Sequence, residues 1–404
     1  MRVIVINTGT ELLLGDVLNT HLVFIARAIL PLGLRIDRQV TVPDGTAIRH
    51  ALAEASRDSD IIFVTGGLGP TTDDITREAA AELRGVEMRR DEAVASTITA
   101  RLARNRYPMT DRILRQADVP EGAIVLPNDN GTAPGLYFPA GSNTPHLFLL
   151  PGPPRELHPM FRESVLPILR GLVPSDATAC RVFGIACVGE SMVEAKIGRE
   201  LLAIPNLELG YCAHAGAVDV RVMGPLAAVE RAEEIIASAF RTSIYTQTGE
   251  SLEQVVVRAL IERNETVTTA ESCTGGFLAH RLTNVPGASA VFLAGAVTYS
   301  NEAKARLLGV APLLIEEHGA VSEPVVRAMA EGARAAAQST YALATTGIAG
   351  PGGGTDAKPV GTVFIALASD EGTQVQNFRF ITDRQAFKQL ATQRVLEMLR
   401  RALI

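Results

Sequence analysis

Four side chains, residues 271–274, stand directly ahead of a glycine pair in the stretch ETVTTAESCTGG. Two of them, Ser272 and Cys273, are candidate nucleophiles. The preceding TVTTAES predicts a strand, and a helix is expected from about Gly275. A residue at this junction meets oriented N–H donors and the positive end of a helix, which stabilise an anionic group. The stretch therefore predicts a nucleophilic site.

Serine is favoured over cysteine as the nucleophile. A useful thiolate at Cys273 needs a histidine close by to lower the pKa of the thiol. The sequence around His280 and His318 gives no indication of such a pairing.

Lysine is rare in this chain and is informative where it occurs. Of 38 basic residues only four are lysines, so arginine is used wherever a positive charge suffices. A general base must be able to lose its proton, which arginine cannot do. Lys304, in YSNEAKARLLG, is expected in the first turn of a helix capped by Ser300 or Asn301, where the helix dipole lowers the pKa of the ammonium group. We interpret Lys304 as a candidate general base; the alternative is an exposed helix lysine.

A second candidate site is the glycine-rich loop TGGLGPTTDD, residues 65–74, between a predicted strand and a predicted helix. Its freed N–H groups suit a phosphate, and the acids after it suit a divalent cation. The alternative is a plain helix start, in which Thr71 or Thr72 caps the helix. A loop after the first strand, TGTELLLGD, adds acids at the same sheet edge. The candidates are Gly66, Gly67 and Gly69 for the nucleotide, and Glu11, Asp16, Asp73 and Asp74 for the metal.

The order of predicted elements indicates an α/β protein with three domains. Residues 1–170 alternate short β-branched runs with helical patterns, as in a parallel, doubly wound sheet. Residues 176–246 read as a small α+β module, after a boundary at 171–180. A second boundary at 245–250 precedes another α/β unit, residues 250–404.

The composition excludes several classes of protein. No apolar run approaches the ~20 residues that span a membrane. The net charge of −6, with no basic cluster, argues against nucleic-acid binding. Four scattered cysteines indicate neither a disulfide framework nor a zinc site, and they fit the cytoplasm.

The first 170 residues resemble a known fold. TGTELLLGD, GGLGPTTDD, NGTAPG and LPGPPRE are similar to motifs of the molybdopterin-binding fold of MoaB and MogA, in the version at the amino end of CinA proteins. In that branch the resemblance implies hydrolysis of ADP-ribose to AMP and ribose 5-phosphate with a divalent metal. The sequence itself does not choose between ADP-ribose and molybdopterin.

The middle module resembles the KH-type region of CinA proteins. It lacks the G-x-x-G clamp that grips a nucleic-acid backbone, which favours a spacer or dimer element. Its helix could be capped by Ser191. His214 has no second ligand at metal-binding spacing and is interpreted as a structural histidine.

The last 150 residues resemble the carboxyl-terminal domain of CinA, also found alone as PncC, the nicotinamide mononucleotide deamidase. AESCTGG, GAVTYSNEAK, HGAVSEPV, TGIAGPGGG and KPVGTV carry the resemblance. It implies a metal-free site with Ser289 as nucleophile, Lys304 as base and Ser272 in proton transfer. The further residues that it implies are Tyr299 and Thr346 beside the amide, and Arg384, Gly275, Gly276 and Gly347 at the substrate.

A dyad of Ser289 and Lys304 makes a geometric demand. If residues 289–299 formed one straight strand, the serine would lie roughly 30 Å from Tyr299. We therefore predict that SAVFLA is a short helix and that Gly295 turns the chain into strand AVTYS. An unbent strand there would exclude the dyad.

The leading hypothesis is a bifunctional enzyme of pyridine-nucleotide recycling, which deamidates nicotinamide mononucleotide and cleaves ADP-ribose. The family resemblance suggests a homodimer. The alternative is a nucleotide- or molybdopterin-binding protein, linked to competence or DNA damage, without turnover at one or both sites. A DNA-binding competence factor conflicts with the acidic balance.

Overall fold

The computed structural model describes residues 1–173 and 179–404. Part of the predicted boundary at 171–180 lies outside these residues. The chain divides into two compact units, Met1–Ala179 and Cys180–Ile404. No helix of the described chain is long and apolar enough to cross a membrane.

The first unit is built on a six-stranded sheet of order β2-β1-β3-β8-β7-β6. The first four strands in this order are parallel, and β7 and β6 are antiparallel additions. A two-stranded ribbon joins β4 and β5. The strands are β1 (Val3–Thr8), β2 (Ile36–Val42), β3 (Ile61–Thr65), β4 (Met88–Arg90), β5 (Asp118–Pro120), β6 (Ile124–Leu126), β7 (Gly135–Phe138) and β8 (His146–Leu150).

Helices cover both faces of this sheet, which explains why its central strands are apolar throughout. Ile4 and Ile6 of β1 join one core, and Val3 and Val5 join the other. Such an arrangement is typical of a doubly wound sheet, so the predicted fold class of this unit is confirmed. The helices are α1 (Thr10–Leu14), α2 (His21–Ile29), α3 (Ala47–Ala55), α4 (Thr76–Arg84), α5 (Glu92–Arg104), α6 (Asp111–Leu114), α7 (Pro154–Met160) and α8 (Leu166–Leu172).

The second unit begins with a four-stranded sheet of order β10-β11-β9-β12, with two helices packed on it. Its first helix begins at Glu190 and has Gly189 as its N-cap. The predicted cap at Ser191 is therefore wrong by two residues. The elements are β9 (Ala179–Ala186), α9 (Glu190–Leu202), β10 (Glu208–His214), β11 (Ala217–Gly224), α10 (Leu226–Phe240) and β12 (Ile244–Thr246).

The rest of the second unit is a five-stranded sheet of order β14-β13-β15-β16-β17. Strands β14, β13 and β15 are parallel, and β16 and β17 are antiparallel. The elements are α11 (Leu252–Arg263), β13 (Val267–Glu271), α12 (Phe277–Thr283), β14 (Phe292–Val297), α13 (Asn301–Leu308), α14 (Pro312–His318), α15 (Glu323–Ala337), β15 (Tyr341–Gly347), β16 (Thr362–Ser369), β17 (Gly372–Arg379) and α16 (Arg384–Ala402).

The terminal helix α16 connects this sheet to the four-stranded module. It is 19 residues long, about 28 Å at the usual rise per residue. Near its end the guanidinium of Arg400 donates to the backbone carbonyl of Thr242, in the four-stranded module. The same guanidinium is buried and paired with Glu397 at 2.7 Å.

The prediction for residues 289–299 is wrong. Only residues 288–290 are helical, as one 3-10 turn. Residues 292–297 form strand β14, which pairs with β13 on both sides of Gly295. Pairing with β13 at every position from Ala294 to Val297 keeps the segment extended despite Gly295.

Candidate active site

The hydroxyl of Ser272 and the amine of Lys304 lie within hydrogen-bond distance of each other. Lys304 Nζ is 3.1 Å from Ser272 Oγ. It also donates to the backbone carbonyls of Thr298, at 2.8 Å, and Tyr299, at 3.4 Å. Only 1% of the Lys304 surface is exposed. A primary amine and a serine hydroxyl are thus paired in the interior.

Burial governs the protonation of Lys304. Desolvation disfavours the ammonium form and lowers the pKa of Lys304 below its ordinary value, with a smaller opposing effect from Cys273. The predicted direction is confirmed, although burial rather than the helix dipole is the main cause. An uncharged amine has two N–H groups and one lone pair. The two carbonyls can only accept, so the lone pair is left for the Ser272 proton.

The carboxylate of Glu271 organises the turn that follows β13. Glu271 is buried, and its two oxygens accept from the backbone N–H groups of Gly276 and Leu278, each at 3.0 Å, and of Ala279, at 2.8 Å. It caps the start of α12 in the way an N-cap side chain does. Ser272, the next residue, donates its own N–H to a carbonyl of β15 at 2.9 Å. The backbone at Ser272 is therefore fixed by the Glu271 carboxylate on one side and by β15 on the other.

The two glycines after Cys273 shape this turn. Gly275 has φ 61° and Gly276 has φ 90°, in the left-handed region that favours glycine. Their N–H groups are already bonded, to Ser272 O at 3.2 Å and to the Glu271 carboxylate. They position the serine, and the structure gives their N–H groups no spare capacity for the predicted substrate contacts.

Cys273 is not equipped to act as the nucleophile. The side chain is buried, and desolvation raises the pKa of the thiol to about 12. The thiol therefore stays protonated at neutral pH, which agrees with the preference for serine chemistry.

The exposed side chains of Tyr299 and Arg384 bond to each other. Tyr299 is 61% exposed, and its hydroxyl accepts from Arg384 Nη2 at 2.9 Å. The other guanidinium nitrogen, Nη1, donates to Gly350 O at 3.0 Å, at the start of the glycine-rich loop. Asp383 caps α16 immediately before the arginine. The structure thus brings Arg384 and Tyr299 together, and the backbone carbonyl of Tyr299 also accepts from Lys304.

Thr346 and Gly347 lie at the carboxyl end of β15, next to the serine turn. The buried hydroxyl of Thr346 donates to Ala320 O at 2.8 Å, which ties β15 to the segment after α14. A side chain at Gly347 would come within 2.7 Å of Thr362 O. Gly347 therefore permits the close approach of β16.

Ser289 lies away from this group. It is exposed, in the 3-10 turn before β14, whereas Lys304 follows the other end of that strand. Six residues of strand separate the two ends, about 20 Å. The predicted pairing of Ser289 with Lys304 within one chain is therefore wrong, and Ser272 takes that place.

In the first unit, the glycine loop after β3 is packed too closely for side chains. Gly66 has φ 95°, and a side chain there would overlap the Thr8 hydroxyl. Gly67 has φ 67°, and a side chain there would overlap the Thr76 hydroxyl, which itself donates to Gly66 O at 3.0 Å. The loop is thereby fixed over the carboxyl end of the parallel sheet.

Carboxylates line the cleft around this loop, which we call the glycine cleft. Two of the predicted acids, Asp16 and Asp73, are exposed and lie outside it. Asp74 accepts from the Thr71 backbone N–H at 2.9 Å and from its hydroxyl. Helix α4 begins at Thr76 with Ile75 as its N-cap, so the alternative in which Thr71 or Thr72 caps the helix is wrong. The acids that line the glycine cleft are Glu11, Asp44, Asp74 and Glu156.

These acids give only part of a metal site. Within residues 1–173 and 179–404, no three His, Cys, Asp or Glu side chains are close enough to hold a metal ion. Carboxylate oxygens suit a hard divalent cation, and phosphate oxygens of a nucleotide can complete its coordination. The donor set therefore fits a cation shared with a ligand.

The sequence interpretation missed Asp44 and Glu156. Asp44 follows the end of β2, and Glu156 follows the end of β8. Because both strands run parallel to β1 and β3, their carboxyl ends meet the same edge of the sheet. Both acids could have been found from the sequence by examining the residues that follow each of the four predicted parallel strands.

The chain has close relatives over its whole length. It is 46% identical over 400 residues to the "CinA-like protein" of Akkermansia muciniphila, which covers 98% of this chain and 96% of that protein. The chain belongs to the CinA family. A "Putative competence-damage inducible protein" of Caldicellulosiruptor bescii is 40% identical, covering 99% of this chain and 98% of the other.

Family models match both ends of this CinA-family chain. Residues 249–403 match the CinA C-terminal domain, and residues 4–171 match the probable molybdopterin binding domain. A solved CinA superfamily protein from Klebsiella pneumoniae is 39% identical, with a TM-score of 0.37, over 38% of this chain and 95% of that one.

Proposed function

We propose that the carboxyl-terminal domain hydrolyses a carboxamide with Ser272 as nucleophile and Lys304 as base. The observation that carries the proposal is the contact of 3.1 Å between the serine hydroxyl and a buried amine. Amide hydrolysis needs a nucleophile and a base that later protonates the departing nitrogen. One serine and one neutral lysine supply both functions.

In acylation, Ser272 Oγ attacks the carboxamide carbon while its proton passes to Lys304 Nζ. The tetrahedral intermediate then breaks its C–N bond, and the Lys304 ammonium returns the proton to the leaving nitrogen. Ammonia departs, and the acyl group stays on Ser272 as an ester. The two carbonyls on Lys304, of Thr298 and Tyr299, keep the amine aimed at Ser272 throughout.

In deacylation, water takes the place of ammonia. Lys304 accepts a proton from the water as its oxygen attacks the ester carbon. The C–O bond to Ser272 then breaks, and the proton returns to the serine oxygen. The product is a carboxylic acid, which loses its proton to solvent, and the free enzyme is restored.

We propose nicotinamide mononucleotide as the substrate of this site. Support comes from the match of residues 249–403 to the CinA C-terminal domain and from Arg384, which bonds to Tyr299, the residue whose backbone carbonyl accepts from Lys304. Arg384 is exposed and already oriented by Tyr299, so it can receive the phosphate of a mononucleotide.

A matched pair of serine variants tests this assignment. We expect Ser272→Ala to lower the rate of ammonia release from nicotinamide mononucleotide about 10³-fold or more, because the nucleophile is lost. Ser289→Ala should leave the rate unchanged, since Ser289 is exposed at the far end of β14. The reverse result would make Ser289 the nucleophile.

We further propose that the amino-terminal domain hydrolyses the pyrophosphate of ADP-ribose to AMP and ribose 5-phosphate. Support comes from the tightly packed loop at Gly66 and Gly67, whose position suits phosphates. Glu11 and Asp74 would hold a divalent cation with the phosphates, and the cation would supply charge neutralisation at the pyrophosphate.

Metal removal separates the two proposed activities. A chelator should abolish ADP-ribose cleavage and leave ammonia release from nicotinamide mononucleotide unchanged, as measured on the same preparation. Tight nucleotide or molybdopterin binding without turnover, across several added metals, would instead favour a binding protein.

A further inference from the structure

A second cavity adjoins the glycine cleft. It lies along one face of α5 and the segment that joins β6 to β7, and we call it the α5 groove. Thr132 lines both the α5 groove and the glycine cleft. The two cavities therefore meet at this residue.

The α5 groove is mainly apolar. Helix positions spaced three and four apart put one stripe of α5 along it, as expected for a helix face. Val94 and Ile98 form its floor, at 8% and 2% exposure, and Ala93 and Thr97 stand exposed at its side. The remaining apolar lining comes from Val125, Pro127 and Pro134.

The wall between the two cavities is held by hydrogen bonds. Asn128, which lines the α5 groove, donates from Nδ2 to the Glu156 carboxylate of the glycine cleft at 2.9 Å. The same nitrogen donates to Ala133 O at 2.7 Å. On the other side, Arg101 Nη1 donates to Asp129 O at 2.7 Å and places a planar cation at the groove.

We propose that the α5 groove is the subsite for the nucleobase of a nucleotide whose phosphates occupy the glycine cleft. The inference rests on the proposed function of this domain, since it names the second half of the same ligand. A nucleotide combines a charged end and a flat, largely apolar ring, and the two joined cavities offer the matching surfaces.

Arg101 gives the groove a preference for an aromatic ring over an aliphatic group. One nitrogen of its guanidinium donates to Asp129 O, which holds this cation at the lining of the groove. A planar cation stacks favourably on an aromatic face. A base inserted between Arg101 and the floor at Ile98 would be covered on two sides.

Binding to the full-length protein tests the subsite without requiring turnover. The two probes are AMP and ribose 5-phosphate, which share a phosphate and a ribose and differ by the base. Ala93→Trp fills the groove from an exposed helix position. Ala100→Trp adds the same side chain at an exposed position of α5 outside the groove and serves as the matched control.

Calorimetry should show that the unmodified protein binds AMP more tightly than ribose 5-phosphate. Ala93→Trp should weaken AMP binding about tenfold or more and leave ribose 5-phosphate binding unchanged. Ala100→Trp should change neither affinity. Thermal unfolding of each variant checks that the fold is retained.

Other outcomes separate this proposal from the proposed hydrolysis. Unchanged AMP affinity in Ala93→Trp, or an equal loss for both probes, overturns the subsite even if ADP-ribose is cleaved. A selective loss of AMP affinity supports the subsite even if ADP-ribose is not cleaved. The absence of binding by either probe to the unmodified protein would overturn both.

Discussion

The two candidate sites occupy equivalent positions in their own sheets, but they differ in the groups that form them. Each follows a central parallel strand, β3 in the first unit and β13 in the second. The site after β13 is formed by two side chains, the buried amine of Lys304 and the hydroxyl of Ser272. The site after β3 is formed mainly by backbone, a glycine loop with carboxylates around the cleft. The carboxyl-terminal edge of a parallel sheet can thus present either a pair of interacting side chains or a backbone loop suited to binding a ligand.

The difference predicts unequal dependence on added components. In the proposed mechanism the site at β13 contains both the nucleophile and the base, and desolvation lowers the pKa of Lys304. The glycine cleft holds no such pair among its lining residues, and in the proposed function a bound ligand and a cation complete it. Substitutions should therefore act through chemistry in one site and through backbone fit in the other.

The largest expected effect is on Lys304. Lys304→Ala should lower ammonia release from nicotinamide mononucleotide about 10³-fold or more, since the general base is removed. Lys304→Arg should be equally inactive, because a guanidinium cannot give up its proton near neutral pH. ADP-ribose cleavage should be unaffected in both variants.

The control for these variants is another of the four lysines. Lys196→Ala, in the four-stranded module, should retain full ammonia release, because Lys196 is exposed and its amine contacts Ala239 O and the Phe240 ring, both within that module. Ammonia release that survives in Lys304→Ala would remove the proposed base and the contrast with the glycine cleft.

The next effect concerns backbone fit in the glycine cleft. Gly67 and Gly85 have nearly equal dihedral angles, φ 67° and φ 66°, but only Gly67 lacks room for a side chain. Gly85→Ala should cost about 1 kcal/mol of unfolding free energy from the angle alone. Gly67→Ala adds the clash with Thr76 and should cost about 2–6 kcal/mol.

Denaturant unfolding and ADP-ribose cleavage measure this difference. Gly67→Ala should lose cleavage and Gly85→Ala should retain it, with ammonia release normal in both. Equal destabilisation of the two variants would show that the close packing at Thr76 contributes nothing.

The smallest effect is a pH dependence of the second unit. Only neutral Lys304 can accept the serine proton, so kcat/KM for ammonia release should fall about tenfold per pH unit below the pKa of this amine. Because burial lowers that pKa, the profile should level off below the ordinary value of 10.5. A rise that continues to 10.5 would contradict a desolvated base, and ADP-ribose cleavage should not follow the same profile.

The fold was largely predictable because its signals are local. Apolar runs such as 3–6 and 61–64 gave buried parallel strands, and caps such as Ser300 gave helix starts. The importance of Lys304 was also visible, because lysine is scarce and the alternative at that position, arginine, cannot act as a base.

The partner of Lys304 was harder to predict, because it depends on the path of the chain between positions 289 and 304. The family resemblance favoured Ser289, and that choice needed a turn at Gly295. Glycine permits a turn but does not impose one, and pairing with β13 keeps the segment extended. A contact between Ser272 and Lys304, 32 residues apart, arises from the order of strands, which no short motif records.

Helix α16 makes the five-stranded sheet structurally dependent on the four-stranded module. Its first residue, Arg384, bonds to Tyr299 and Gly350, and Arg400 near its far end bonds to Thr242. The helix is therefore held by side-chain hydrogen bonds near both of its ends. Removal of the residues before 250 would delete Thr242 and expose the ion pair of Arg400 and Glu397 to solvent. The end of α16 would then be less rigidly held, and this mobility would extend along the helix to Arg384.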